Sequence, residues 1–148
     1  LADVGFYHLT RTGPDEALPK LLGRTLVAGQ RAAVVCGSEE RVAALDAALW
    51  LCADPDWLPH GTRATGQADL QPIWLATDDA APNGAHYLFL LDGAESSRIG
   101  AFERVFDLFD GRDEQAVAAA RRRWTATKQA GHALTYWQQT ARGWERKR

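Results

Sequence analysis

Strand-like and helix-like segments alternate along this chain, which predicts one α/β domain over residues 1–148, a sandwich with a mostly parallel central sheet. Three observations carry that reading. Short apolar runs bounded by glycine recur between amphipathic stretches. Hydrophobic residues make up 46% of the 148, enough for a real core and too many for a disordered chain. No internal repeat and no linker divides the sequence.

Asp3–Leu9 alternates apolar residues around an aromatic centre, the pattern of a first strand. Pro14 suits the first turn of a helix running through Leu18, Leu21, Leu22 and Leu26 to Gly29, with Pro19 weakening it early. Arg31–Cys36 is a continuous apolar run between Gly29 and Gly37, as expected of a strand buried on both faces. Ser38 reads as an N-cap, followed by Glu39 and Glu40 in a first turn. The helix it opens repeats Val42, Leu45, Leu49 and Cys52. Ala53–Gln71, with two prolines and two glycines, reads as loop. Ile73–Ala76, His86–Leu91 and Val105–Phe109 read as strands and Ser96–Glu103 as a short helix. Asp113–Ala130 is the longest helix, stopped by Gly131, and His132–Trp137 alternates as a closing edge strand.

Charge is divided unevenly. Residues 121–148 hold eight Lys and Arg against one acid, Glu145, a net of about +7; the preceding 120 carry about −9. Trp124, Tyr136, Trp137 and Trp144 interleave with the cations. A basic, aromatic end on an acidic body draws an anionic partner to that end. The two cysteines, Cys36 and Cys52, match neither metal-ligand spacing nor a redox pair and read as structural thiols of a cytoplasmic protein. No apolar run is long enough to span a bilayer, and no signal-peptide pattern opens the chain, so no membrane partner is expected.

The chain carries few signatures of familiar chemistry. Neither a Walker A loop nor G-x-G-x-x-G follows any strand-like run, and the turn after the first strand, TRTGPDE, has one glycine and two acids where phosphate needs open amides. Gly61–Gly66 has two glycines and Arg63 but no strand before it. His8, His60, His86 and His132 are scattered without zinc spacing, and no G-x-S-x-G elbow marks a nucleophile. No cofactor, metal or catalytic residue is expected.

Two surfaces stand out. On the long helix, Val117, Ala120, Arg121, Trp124 and Lys128 share one face, with Ala119, Ala126 and Ala130 opposite and small enough to pack on the sheet. Arg121, Trp124, Thr125 and Lys128 then stand on the outer face. That face is either a solvated basic stripe with Trp124 half buried against the C-terminal segment, or a pocket where cations pair with carboxylates beside an indole. The second surface follows the Ser38 helix. Trp50 lies off the Val42–Leu45–Leu49 stripe, and Trp57, Leu58, Pro59 and His60 form a bulky cluster in a loop, either tucked under the domain or covered by a partner.

The chain resembles the chi subunit of bacterial DNA polymerase III holoenzyme. The resemblance runs from Phe6-Tyr7-x-Leu9 through Leu45-Asp46-x-Ala48-Leu49-Trp50 and Trp57-x-Pro59-His60 to Phe102-x-x-Val105-Phe106-Asp107. It ends in Arg121-x-x-Trp124 and Ala130-Gly131. It implies a Rossmann-like α/β topology without a phosphate-binding loop, and an adaptor rather than an enzyme. It also implies two partners: the psi subunit or a divergent equivalent at Trp50, Trp57, Leu58, Pro59 and His60, and the acidic, Pro-Phe-terminated tail of single-stranded DNA-binding protein at Arg121, Trp124, Thr125 and Lys128. In that reading Arg121 and Lys128 pair with carboxylates, Trp124 packs against the terminal Phe, and DNA is contacted only indirectly. Thr125 departs from the basic residue expected there, leaving charge to come from Lys128, Arg122 or the basic C-terminus. Two rivals remain: direct single-stranded nucleic-acid binding by the basic aromatic segment, and a cryptic nucleotide-dependent enzyme.

Overall fold

In the computed structural model, which describes residues 1–148, the apolar runs become β1 (Asp3–Leu9), β2 (Ala32–Val35), β3 (His60–Thr62), β4 (Ile73–Ala76), β5 (Tyr87–Leu90), β6 (Arg104–Asp110), β7 (Ala133–Thr140) and β8 (Gly143–Arg146). The amphipathic stretches become α1 (Pro14–Val27), α2 (Glu39–Trp50) and α3 (Glu114–Gln129). All eight strands form one sheet in the order β3-β4-β2-β5-β6-β1-β7-β8. Every pairing is parallel except β7 with β8. The α/β class and the mostly parallel sheet are as the sequence predicts.

Strand side chains alternate between two cores. On one face Tyr7, Ala32, Val34, Phe89 and Leu108 meet Leu18 and Leu22 of α1 and Leu45 and Leu49 of α2. On the other, Val4, Phe6, Ala33, Val35, Leu88 and Leu90 lie on the side covered by α3, where Ala120 is buried. Two helices thus shield the first face and only one the second. The caps follow the expected chemistry: Ser38 Oγ accepts from Arg41 N at 3.1 Å, and Asp113 accepts from Gln115 N at 2.9 Å.

Three segments differ from the sequence expectation. The presumed loop Ala53–Gln71 contains β3, a three-residue edge strand paired with β4. His-Gly-Thr has no strand signature; its ladder to β4 and the burial of His60 make it one. The short helix expected over Ser96–Glu103 is only a single 3-10 turn at Ile99–Ala101. Nor does β7 close the sheet, because the polar segment Gly143–Arg146 returns as β8, with Trp144 packed 5.0 Å from Tyr7.

The β1–α1 turn is held by a distant residue. The backbone N–H groups of Thr10, Arg11 and Thr12 all donate to Gln139 Oε1, at 3.1, 2.9 and 3.2 Å. Gln139 Nε2 donates in return to Thr12 Oγ1 at 2.8 Å, and Thr10 Oγ1 donates to the Gln139 carbonyl at 2.9 Å. In nucleotide-binding α/β proteins, amides at this position face phosphate. Here they converge on a side-chain oxygen delivered by β7. Gln139→Ala leaves three donors without their acceptor and is expected to lower unfolding stability by about 1–2 kcal/mol in urea titration. Gln139→Glu, which keeps an acceptor, should lose less.

Candidate functional site

The orientation of α3 decides what the basic end of the chain presents, and one buried pair sets that orientation. Arg123 Nε and Nη2 donate to Asp107 Oδ2 and Oδ1 of β6, at 2.7 and 2.9 Å. The two side chains are only 9% and 3% exposed. Burial pushes the Asp107 carboxyl above its ordinary range, and Arg123 opposes that shift. Removing either partner would strand a buried charge, at a cost of about 3–5 kcal/mol.

With Arg123 inward, the buried positions of α3 are Ala120, Arg123 and Thr127. This corrects the helix face expected from the sequence. Ala126 and Ala130 are exposed and Ala119 is half buried, whereas Val117 and Trp124 pack toward the sheet. Among the alanines of α3 only Ala120 is buried, and the triple-arginine run supplies a second inward residue, Arg123. Arg121, Thr125 and Lys128 are exposed as expected.

Arg121, Trp124 and Thr125 form one wall of a cleft of about 480 Å³, completed by Tyr136 and Gln138 of β7 and by Lys147 and Arg148 beyond β8. No acidic residue lines it. Trp124 is half buried, edge-on to Phe6 at 5.4 Å and to Tyr136 at 5.8 Å, with the Arg148 guanidinium 5.9 Å from its ring centre. The indole is therefore a packed wall rather than a free outer side chain, so Trp124→Ala will also cost stability. Lys128, one turn further along α3, does not line this cleft. Lys147 and Arg148 take that place, with Lys147 also 3.2 Å from Glu145. The sequence showed these cations as a basic terminus; it could not show that β8 folds them back beside α3.

Behind the cleft, His8 Nδ1 lies 2.6 Å from the Tyr136 hydroxyl. Burial, with a smaller contribution from Arg121, pulls the His8 pKa below its ordinary value. Burial raises that of the Tyr136 phenol, against Arg121 and Arg148.

The Trp-rich cluster divides in two. Trp50 is 58% and Trp57 69% exposed, and Pro59 is half buried. Leu58 is only 4% exposed and belongs to the core beneath α1 and α2. His60 is also buried, with Nδ1 2.6 Å from the Leu58 carbonyl and its ring 4.3 Å from that of Trp50. Its Nε2 stands 2.9 Å from Asp46 Oδ1, though outside hydrogen-bonding alignment. Leu58 and His60 thus support the surface and do not form it, a correction to the sequence expectation. Leu51, at the end of α2, and Leu70, just before β4, are large exposed apolar residues that pattern reasoning passed over.

No group of three or more His, Cys, Asp or Glu residues is arranged to hold a metal ion. Both thiols are free, and the Cys36 thiol is pushed up to about 12 by burial. No helix is long and apolar enough to cross a membrane.

Among protein families, the one described as DNA polymerase III chi subunit, HolC, matches residues 1–135. No curated protein matches the chain. The matched region contains Trp50, Trp57, Arg121 and Trp124 and stops just before Tyr136, so Lys147 and Arg148 lie beyond it.

Two outcomes check this geometry. Leu58→Ala should cost about 2–5 kcal/mol and Trp57→Ala within about 0.5 kcal/mol, measured by chemical denaturation. Because the His8 pKa is lowered on folding, its contribution is present above the unfolded value near 6.5. It is lost as pH falls through the folded value. The fall in melting temperature below pH 6.5 should therefore be shallower in His8→Gln.

Proposed function

We propose a function that proceeds from one premise: the chain belongs to the DNA polymerase III chi-subunit family. It is accordingly an accessory subunit of the replication machinery. In our reading it is a non-catalytic adaptor. One surface takes the psi subunit or an equivalent clamp-loader partner, and the other takes the acidic C-terminal tail of single-stranded DNA-binding protein.

The observation that carries the tail reading is the acid-free cleft beside α3. Arg121, Lys147 and Arg148 converge there on an otherwise acidic protein, with Trp124 and Tyr136 as the apolar wall. Carboxylates gain charge-assisted hydrogen bonds in such a place, and the separation of charge along the chain orients an incoming anion before contact. Trp50 and Trp57 support the second surface: two large, exposed indoles at one end of a domain match the residue type that dominates interface hot spots. Leu51 extends that surface.

Direct single-stranded nucleic-acid binding is the rival use of the same cations. It is less well supported, because Trp124 and Tyr136 are half buried and packed against each other, whereas base stacking uses exposed rings. The acidic body also opposes a long polyanion.

A labelled acidic peptide ending in Pro-Phe, titrated against the protein with a single-stranded oligonucleotide as control, tests the reading. Saturable peptide binding that weakens with salt supports it; tighter binding of the oligonucleotide would replace it with the rival. Arg121→Ala should weaken the peptide by about 1–3 kcal/mol, and Lys147→Ala in the same direction. Trp57→Ala should leave peptide binding unchanged while removing capture of the psi-type partner.

A further inference from the structure

The other flank of α3 carries a second, larger cleft of about 620 Å³, a volume in the range of ligand pockets. Val4, Phe6, Leu90 and Ile99 give it an apolar lining, to which Ala119 and Ala126 of α3 add only methyl groups. It shares no lining residue with the Trp124 cleft.

The polar side chains of this second cleft leave donors over. Both carboxylate oxygens of Asp107 accept from Arg123. The Ser96 hydroxyl donates to Asp79 at 2.6 Å and accepts from Arg98 N at 3.0 Å, and that of Thr127 donates to the Arg123 carbonyl at 2.7 Å. Only Ser97 and Glu95, both exposed, keep side-chain acceptors for a newcomer. The donors are differently placed. Arg123 is only 9% exposed, and its Nη1 makes no hydrogen bond within the protein. That nitrogen lies 3.8 Å from where a Cβ on Gly93, another lining residue, would stand. Arg122 lines the same cleft without an acidic partner. His132 accepts from Ala2 N at Nδ1, 3.1 Å, and so holds a proton on Nε2, which donates to no protein group.

We propose that this cleft binds a small organic acid with an aromatic or branched apolar body. The carboxylate meets Nη1 of Arg123 and the Arg122 guanidinium, and the body lies on Val4, Phe6, Leu90 and Ile99. A buried cationic donor without an acceptor is where a charge-assisted hydrogen bond gains most, and a planar carboxylate matches a guanidinium edge. The charges lining the cleft select a single negative charge. Asp107 already neutralises Arg123, and Glu95 offsets part of the field of Arg122, so a doubly charged phosphate monoester would carry a charge without a partner. The site stands apart from the tail reading and does not depend on it.

The probes are 2-naphthylacetate and its uncharged amide, titrated by calorimetry and by amide-proton NMR. The acid should bind with a Kd below about 1 mM and shift the signals of Gly93, Ile99, Gly100 and Ala126, not those of Gln138 and Lys147. The amide should bind roughly tenfold more weakly, the difference a charged hydrogen-bond partner makes. Arg122→Gln should weaken the acid by roughly two- to fivefold, and Glu95→Gln should tighten it by roughly two- to threefold. Ser97→Trp and Ala130→Phe fill the cleft from exposed positions and should abolish binding, with circular dichroism verifying that both are folded. Absence of acid binding, equal binding of acid and amide, or undiminished binding by both filled variants overturns the proposal. So does displacement of the acid by the acidic Pro-Phe peptide, which would make this cleft part of the tail site. Each of these results leaves the tail reading to its own titration.

Discussion

The bidentate pair between Arg123 and Asp107 is the constraint on which the functional side of this molecule depends. Two charges removed from water must find each other with good geometry, and here the requirement leaves one rotation for α3. That rotation puts Trp124 against β1 and β7, raises Arg121 and Arg122 onto the crest and leaves Ala126 and Ala130 exposed.

Much of the fold was legible in the sequence, for a physical reason. Glycine-bounded runs such as Ala32–Val35 have no solvated face to alternate with, and capping residues such as Ser38 and Asp113 mark helix starts through hydrogen bonds made within three residues. Those signals are local. What escaped depends on partners remote in the chain. β3 is a strand because β4 lies beside it, and β8 because β7 does. The inward face of α3 is set by an aspartate 16 positions earlier. Hydrophobic periodicity cannot register an arginine that points inward, so it assigns the core contact to Ala119, Ala126 and Ala130 instead. The site residues divide along the same line. Arg121, Trp124 and Thr125 came from spacing within one helix, while Lys147 and Arg148 needed the hairpin that returns them. In the Trp-rich loop, residue type marked the cluster correctly, but only packing distinguishes Leu58 and His60, which hold it, from Trp50 and Trp57, which face outward.

The two surfaces differ in the physics they offer. One is cationic, concave and fed by long-range attraction, which favours fast, salt-sensitive encounter. The other is an exposed pair of indoles whose burial gives short-range, salt-insensitive affinity. Placed on separate parts of one rigid sheet, they can be occupied together, and neither needs the other to form. α1 and α2, which cover a different face from α3, keep the two apart.

The position of β1 has a consequence of another kind. It lies between β6 and β7, so Asp3 is paired with Arg104 on one side and Ala133 on the other. The ladder partners of the first strand are therefore about 100 residues away in β6 and about 130 in β7, and the Gln139 clasp on its following turn is as distant as β7. A chain emerging from the ribosome carries this apolar strand without neighbours until β6 and β7 have been made. Such non-local closure is slow. It also exposes an unpaired hydrophobic segment during synthesis, the condition under which association between incomplete chains competes with folding.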